Sequence, residues 1–194
     1  MKRVYDNQLI SYTCKTTKFT NQESSNDDRL IHAVKKGDVI EILHLMDNNV
    51  NLEFVDQYGK KAIHYAVEYG NMEIVSCLIY YGAKLIDLDN ENISVLMYAC
   101  YSSAGDKPDL IRLLYKYAPE LDVNHRNSYG CTAIWYACFY GHHQQIRELI
   151  YMGANLMIQN IQNINPIQLS RGRRYISRAF ELSYQIISDI FFLE

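Results

Sequence analysis

The sequence predicts an all-α solenoid of about five stacked units, caps included. Three observations carry this expectation. An alanine that anchors a short helix recurs as Ala33, Ala66, Ala99 and Ala137, with Ser170 in the same place of a last copy, at intervals of 33, 33, 38 and 33 residues. Two stretches, 56–83 and 127–154, align so that Gly59 meets Gly130, Ile63 meets Ile134, Ala66 meets Ala137, Gly70 meets Gly141, and Gly82-Ala83 meets Gly153-Ala154. Around each alanine the apolar residues follow helical spacing, as with Ile63, Ala66 and Val67 at i, i+3 and i+4. A period in this range marks a repeat array, in which each unit buries its apolar stripe only against its neighbours.

Residues 1–22 are polar, rich in Thr, Ser and Asn, and read as a tail. The array follows over 23–172. Its first copy (23–55) supplies polar cover through Asn26, Asp27, Asp28, Arg29, Lys35 and Lys36. The second (56–88) carries the stripe of a first helix at Ile63, Ala66 and Val67, and that of a second at Ile74, Val75, Leu78 and Ile79. Gly82, Gly153 and Asn49 fall where a helix end needs the left-handed conformation. The third copy (89–126) accounts for the long interval, with about three extra residues in 102–109 and two near 119–124, and Pro119 stops its second helix instead. The fourth (127–159) returns to register, and a last copy begins at 160–172. Residues 173–194 read as an amphipathic helix, with Ile176, Ala179, Phe180, Ile186, Ile187 and Ile190 facing inward to close the stack.

The segments KAIHYA (61–66), SVLMYA (94–99), CTAIWYA (131–137) and NPIQLS (165–170) sit in register at the start of the first helices. This pattern resembles the ankyrin repeat, a 33-residue unit with a T-P-L-H-x-A signature, although the full T-P-L-H is intact in none of them. The resemblance implies a β-turn plus two antiparallel helices per repeat. It also implies that His64, standing where the family's histidine stands, hydrogen-bonds within the hairpin and helix framework; Ile31, Met97, Trp135 and Gln168 replace it in the other copies.

Composition narrows the function. The formal net charge of −3 gives no general attraction to nucleic acid or anionic membrane. No apolar run approaches the roughly 18 residues of a membrane span, and the N-terminus lacks a signal-peptide core. Five cysteines (Cys14, Cys77, Cys100, Cys131, Cys138) show no zinc-type paired spacing and read as reduced thiols of a cytosol-like compartment. The expectation is therefore a cytoplasmic monomer, with nucleus or delivery into a host cell as other settings.

The stretch WYACFYGHH (135–143) invites two sharper readings. A metal could use Cys138 and His142, four apart, with His143 and Cys131 near. Register opposes it: Cys138 falls on the core position of Val67 and Cys100, and Gly141 ends the helix before His142. A catalytic thiol is the other reading, for which Cys131, in the turn, is expected to be more exposed than Cys138. No histidine is paired with it by sequence, and no phosphate loop or nucleophile elbow is present. No enzyme activity, metal or cofactor is expected.

In the resembled family the turn tips and the exposed ends of the first helices line one concave, partner-binding surface. The corresponding tip pairs here are Gln57-Tyr58, Asn90-Glu91 and Ser128-Tyr129, and the helix-end pairs are Glu68-Tyr69, Tyr101-Ser102 and Phe139-Tyr140. Six of these twelve residues are aromatic, which suits stiff interface anchors. Codon bias accounts for part of the 17 tyrosines, since isoleucine and asparagine are abundant too. The expectation is non-catalytic binding of a partner protein, with Tyr58, Tyr69, Tyr101, Tyr129, Phe139 and Tyr140 as anchors and Gln57, Glu68 and Glu91 as polar rim. Tyr65, Tyr98 and Tyr136 are expected half-buried beneath them. Two alternatives stand beside this: a host-directed viral or bacterial effector using the array for targeting, and contact with phosphate or anionic lipid through Arg171, Arg173, Arg174 and Arg178. No F-box-like segment with a leucine-proline start follows Ser170, so a ubiquitin-ligase adaptor of the poxviral kind is not expected.

Overall fold

The structure, a computed structural model, describes residues 26–101 and 105–170. The tail expected over 1–22, the closing helix over 173–194 and the arginines from Arg171 to Arg178 lie outside the described residues. Within them the chain is helical, without a strand. The helices are α1 (Asn26–Lys36), α2 (Val39–Asp47), α3 (Ala62–Glu68), α4 (Met72–Tyr80), α5 (Val95–Tyr101), α6 (Pro108–Tyr117), α7 (Ala133–Tyr140), α8 (His143–Tyr151) and α9 (Pro166–Ser170). Odd-numbered helices pack on one another in sequence, α1 on α3, α3 on α5, α5 on α7 and α7 on α9. Each of α1, α3, α5 and α7 also carries its own second helix, α2, α4, α6 and α8.

The repeat alanine explains that stacking. Ala33, Ala66, Ala99 and Ala137 are all buried, and a methyl group at that point lets neighbouring helices approach where a larger side chain would hold them apart. Leu45, Leu78, Leu114 and Leu149 form the matching buried column of the second helices. Ile63, Val67, Ile74, Val75 and Leu78 are buried as the stripes require, and Ile79 is half-buried at their margin.

Helix ends follow local chemistry. After α4, Gly82 (φ 92°) donates its N–H to Ile79 O and Ala83 donates to Leu78 O. Asn49 (φ 54°) and Gly153 (φ 89°) close α2 and α8 with the same paired bonds. The third repeat stops differently, as its sequence demands: Ala118 donates to Leu114 O and Pro119 follows. At the N-termini of second helices, Asp38 accepts from Glu41 N at 3.0 Å and Asn71 from Ile74 N at 3.1 Å.

α8 has no such residue of its own, and its cap comes from the insertion in the preceding repeat. Asp106 accepts from Gln144 N at 2.8 Å and Gln145 N at 2.9 Å, while Lys107 Nζ donates to Gly70 O at 2.8 Å. The described part of the insertion thus ties the third repeat to both of its neighbours. Gln145, fully buried, completes the join by donating to Ala99 O at 3.0 Å.

His64 performs the framework role that the resemblance implies. Its Nδ1 accepts from Lys61 N at 2.9 Å, which leaves Nε2–H to donate to Asp87 O at 3.1 Å. Burial holds its pKa below the ordinary value, so the ring is neutral. Gln168 does the first half of this work in the last copy, accepting from Asn165 N at 2.8 Å, and Trp135 Nε1 reaches across to Ile164 O at 3.1 Å.

Beside His64, Lys61 is buried and ion-paired with both Glu53 and Asp87, which belong to the loops before the second and third repeats. The hydrogen bond from Lys61 holds the Asp87 carboxyl below its ordinary range. A carboxylate depressed in the folded state contributes stability that is present above its unfolded pKa and is lost as pH falls through the folded value. Stability of the wild type should therefore fall below about pH 4 more steeply than that of Lys61→Met, measured by urea midpoint against pH; parallel profiles would contradict it.

A second prediction concerns spacing. A Cβ on Gly59 (φ 75°) would lie 2.4 Å from Asn90 Oδ1 and 2.8 Å from Asn90 N of the next repeat, whereas one on Gly82 would meet nothing within 4 Å. Gly82→Ala should cost about 1–2 kcal/mol from backbone conformation alone, and Gly59→Ala about 1–3 kcal/mol more from the clash, compared by chemical denaturation.

Candidate partner-binding face

Each hairpin is built on one polar side chain. Asp56 Oδ1 accepts from the N–H groups of Tyr58 and Lys60 at 2.9 and 3.0 Å, and its Oδ2 accepts from the Tyr65 hydroxyl at 2.5 Å. Asp89 repeats this with Glu91 N, Ile93 N and the Tyr98 hydroxyl at 2.9, 2.8 and 2.5 Å. Asn127 Oδ1 takes Tyr129 N and Cys131 N at 3.1 and 2.9 Å, and with no second carboxylate oxygen it donates instead, from Nδ2 to Tyr136 Oη at 2.8 Å. Asn160 holds Gln162 N and Ile164 N in the same way, both at 3.0 Å, but Leu169 stands nine residues on where the others have tyrosine.

Tyr65, Tyr98 and Tyr136 are therefore buried struts between hairpin and helix, not half-buried as the sequence suggested. Their partner lies nine residues upstream, and that bond satisfies the hydroxyl and lets the whole ring go inside. Burial raises all three hydroxyl pKa values and keeps them neutral.

The pinned hairpins join edge to edge. Asn90 N donates to Tyr58 O at 3.1 Å, Ser128 N to Glu91 O at 2.9 Å and Ile161 N to Tyr129 O at 3.0 Å. Gln57 contributes its carbonyl to Asn90 Nδ2 at 3.1 Å, its own side chain remaining exposed. The tips thus form one continuous edge with their side chains turned out.

Along this edge and the adjoining helix ends, Tyr58 and Tyr69 are each 46% exposed, Tyr140 39% and Tyr129 36%. Tyr101 and Phe139 are only half-buried rather than fully presented, because other rings hold them. Phe139 stacks on Trp135 (5.3 Å, 10° between planes), and Tyr140 packs edge-on against both Phe139 (5.1 Å) and Tyr101 (5.5 Å). Tyr101 also meets Tyr136 edge-on at 6.0 Å, and Tyr140 stacks on His142 at 5.9 Å. The result is one ring cluster across the third and fourth repeats.

The expected acidic rim is already engaged. Glu68 pairs with Lys60 at 3.0 Å, and Glu91 accepts from the Tyr129 hydroxyl at 3.1 Å. Lys60 Nζ lies 5.0 Å from the Tyr65 ring centroid and 4.4 Å from that of Tyr98, and Lys35 Nζ lies 3.9 Å from Tyr65. Lys35 thus reaches beyond the polar cap expected of it, and Lys60, Trp135 and His142 join this face although no column of the repeat pattern points to them. A lysine eight residues before an acidic helix end was the available signal for the Lys60–Glu68 pair.

Cys131 is buried, though less completely than Cys138, and burial pushes its thiol up to about 12. The hairpin's last residue lies beneath the join to the next hairpin, so a turn position is not a surface position here. Cys138 is fully buried, as register required. Among the described residues no cluster of three or more His, Cys, Asp or Glu side chains is arranged to hold a metal ion. No helix among them is long and apolar enough to cross a membrane.

Residues 8–89, 30–127 and 85–160 match the family described as ankyrin repeats (3 copies). The chain belongs to the ankyrin repeat family. It is similar to the protein named VAPYRIN-LIKE of Medicago truncatula, 25% identical over 63% of this chain and 25% of that protein. E3 ubiquitin-protein ligase XBAT33 of Arabidopsis thaliana is 27% identical over 69% of this chain and 19% of its own length. The ankyrin repeat, SAM and basic leucine zipper domain-containing protein 1 of Dasypus novemcinctus is 25% identical over 63% of this chain and 25% of its own. The chain thus spans about a fifth to a quarter of the length of these relatives.

Thiol burial has a direct readout. Alkylation of the native protein with iodoacetamide at about pH 8, mapped by mass spectrometry, should modify half-buried Cys77 before Cys100, Cys131 and Cys138. Labelling of Cys131 as fast as Cys77 would show that its turn opens.

Proposed function

We propose that this chain is a non-catalytic recognition module that binds a partner protein through the concave face formed by its hairpin tips and first-helix ends. Ankyrin repeats generally mediate protein–protein interaction, and the repeat is not itself an enzymatic unit. The observation that carries the reading is the aromatic surface: Tyr58, Tyr69, Tyr129 and Tyr140 exposed along one edge, with Tyr101 and Phe139 locked beside Tyr140. Rings already held in place lose little freedom on binding, so contact area converts efficiently into affinity.

The half-buried rings serve as the floor against which Tyr140 is held, and Tyr140, Tyr69, Tyr58 and Tyr129 make first contact. Glu68, Glu91 and Gln57 border the surface, Glu68 paired with Lys60 and Glu91 accepting from the Tyr129 hydroxyl. Trp135 belongs to this site by its stack on Phe139.

Affinity capture from the native cell should recover a partner with the wild type and lose it with the Tyr58/Tyr69/Tyr129/Tyr140→Ala quadruple variant. Replacing Tyr80, Tyr117 and Tyr151, which are exposed on the second helices, should leave capture intact. Each single anchor should account for about 2 kcal/mol once the partner is in hand. Equal capture by wild type and a quadruple variant of unchanged melting behaviour would overturn the reading.

A further inference from the structure

We infer that the partner segment taken by this face is an extended peptide with a carboxylate side chain at one end and, about six to eight residues away, an aromatic or large aliphatic side chain. The inference rests on the concave-face reading above and adds the chemistry of what fits there.

The face is not uniform along the stack. In repeat register the helix-end pair Lys35-Lys36 of α1 precedes Glu68-Tyr69, Tyr101-Ser102 and Phe139-Tyr140. The surface therefore runs from cationic at the first repeat to aromatic at the fourth. Two lysines lie over its buried tyrosines, and they differ. Lys60 is neutralised by Glu68 at 3.0 Å. Lys35 sits 3.9 Å from the Tyr65 ring centroid and has no carboxylate within ion-pair distance among the described residues. Burial of its ammonium lowers its pKa, opposed by Asp56 and Glu68 at longer range. A cation held over a ring with no ion-pair partner is a ready binding point for an incoming anion. Exposed Lys36, next on the same helix, adds to the local preference for acid.

A carboxylate suits this point better than a phosphate. Glu68 and Glu91 lie along the same face, and a doubly charged group would meet their repulsion with one unpaired lysine to offset it. The other end is the ring cluster of Tyr101, Phe139 and Tyr140, which offers faces and edges to an apolar side chain. Lys35 rests on the second repeat and Tyr140 belongs to the fourth. At about 10 Å per stacked helix layer the two ends are about 20–25 Å apart, which an extended chain covers in about six to eight residues.

The mode of recognition follows as well. Tip amides of Asn90, Ser128 and Ile161 are already bonded to Tyr58, Glu91 and Tyr129 carbonyls, so the tips do not offer a free strand edge there. Selectivity comes from side chains at the two ends.

The test is a displayed library of random peptides of about 14 residues, longer than the span required, panned on the full chain, with enriched sequences then synthesised. The expected binders carry Asp or Glu at that spacing from Phe, Tyr, Trp, Leu or Ile. Lys35→Gln should weaken them about tenfold and erase the difference between each peptide and its Glu→Gln counterpart, and Tyr140→Ala should weaken acid and amide forms alike. Binders sensitive to Tyr140→Ala but indifferent to Lys35→Gln and to loss of the peptide acid would overturn this inference and leave the concave-face reading standing. Binders indifferent to both variants, or no enrichment over bare support, would overturn both. Tighter binding of a phosphoserine form than of the glutamate form would replace the carboxylate by a phosphopeptide. Lys35 is exposed and outside the core, so its variant should melt with the wild type.

Discussion

One side chain at the start of each hairpin holds this molecule in working order. Asp56, Asp89, Asn127 and Asn160 each gather two backbone N–H groups, and the first three also hold a tyrosine hydroxyl nine residues on. A hairpin of this length has too few internal hydrogen bonds to persist alone. Anchored by that side chain and the strut, it becomes rigid enough to meet its neighbour amide to carbonyl. The edge on which Tyr58 and Tyr129 stand then follows.

The strut also sets what the surface is made of. Tyrosines bonded to the hairpin residues go inside, and their rings become the floor on which Lys35, Lys60 and Tyr101 rest. The tyrosines of the candidate face stand instead at the tip or one turn further along the first helix. Tyrosine is thus divided between framework and surface by whether the hairpin's anchoring Asp56, Asp89 or Asn127 bonds its hydroxyl. Leu169 marks where this arrangement ends, and α9 packs by apolar contact instead.

Periodicity made the architecture legible. Alanine spacing located the helices, the glycines and Asn49 located their ends, and Pro119 announced the one different stop. Features that join residues from different repeats were much harder to see. Glu91 meets Tyr129 across 38 residues, and Asp106 caps a helix 38 and 39 residues away; neither pairing leaves a local pattern. Nor does the sequence show how far the turn of one repeat is covered by the next, which is why Cys131 is buried in its turn. The candidate site was legible as a set of columns, yet Phe139 and Tyr101 proved to be held by Trp135, Tyr136 and Tyr140, which only the stack reveals.

The most direct test of this account is amide hydrogen exchange of the free protein by NMR at the hairpin positions Tyr58, Lys60, Glu91, Ile93, Tyr129 and Cys131. If the Asp and Asn side chains hold the hairpins as part of the stack, these amides exchange as slowly as those of Ala99 and Ala137 in the helices, through the same opening event. Exchange at the rate of solvent-exposed loops, with the helices still protected, would mean that the hairpins move independently and that the face is not preformed.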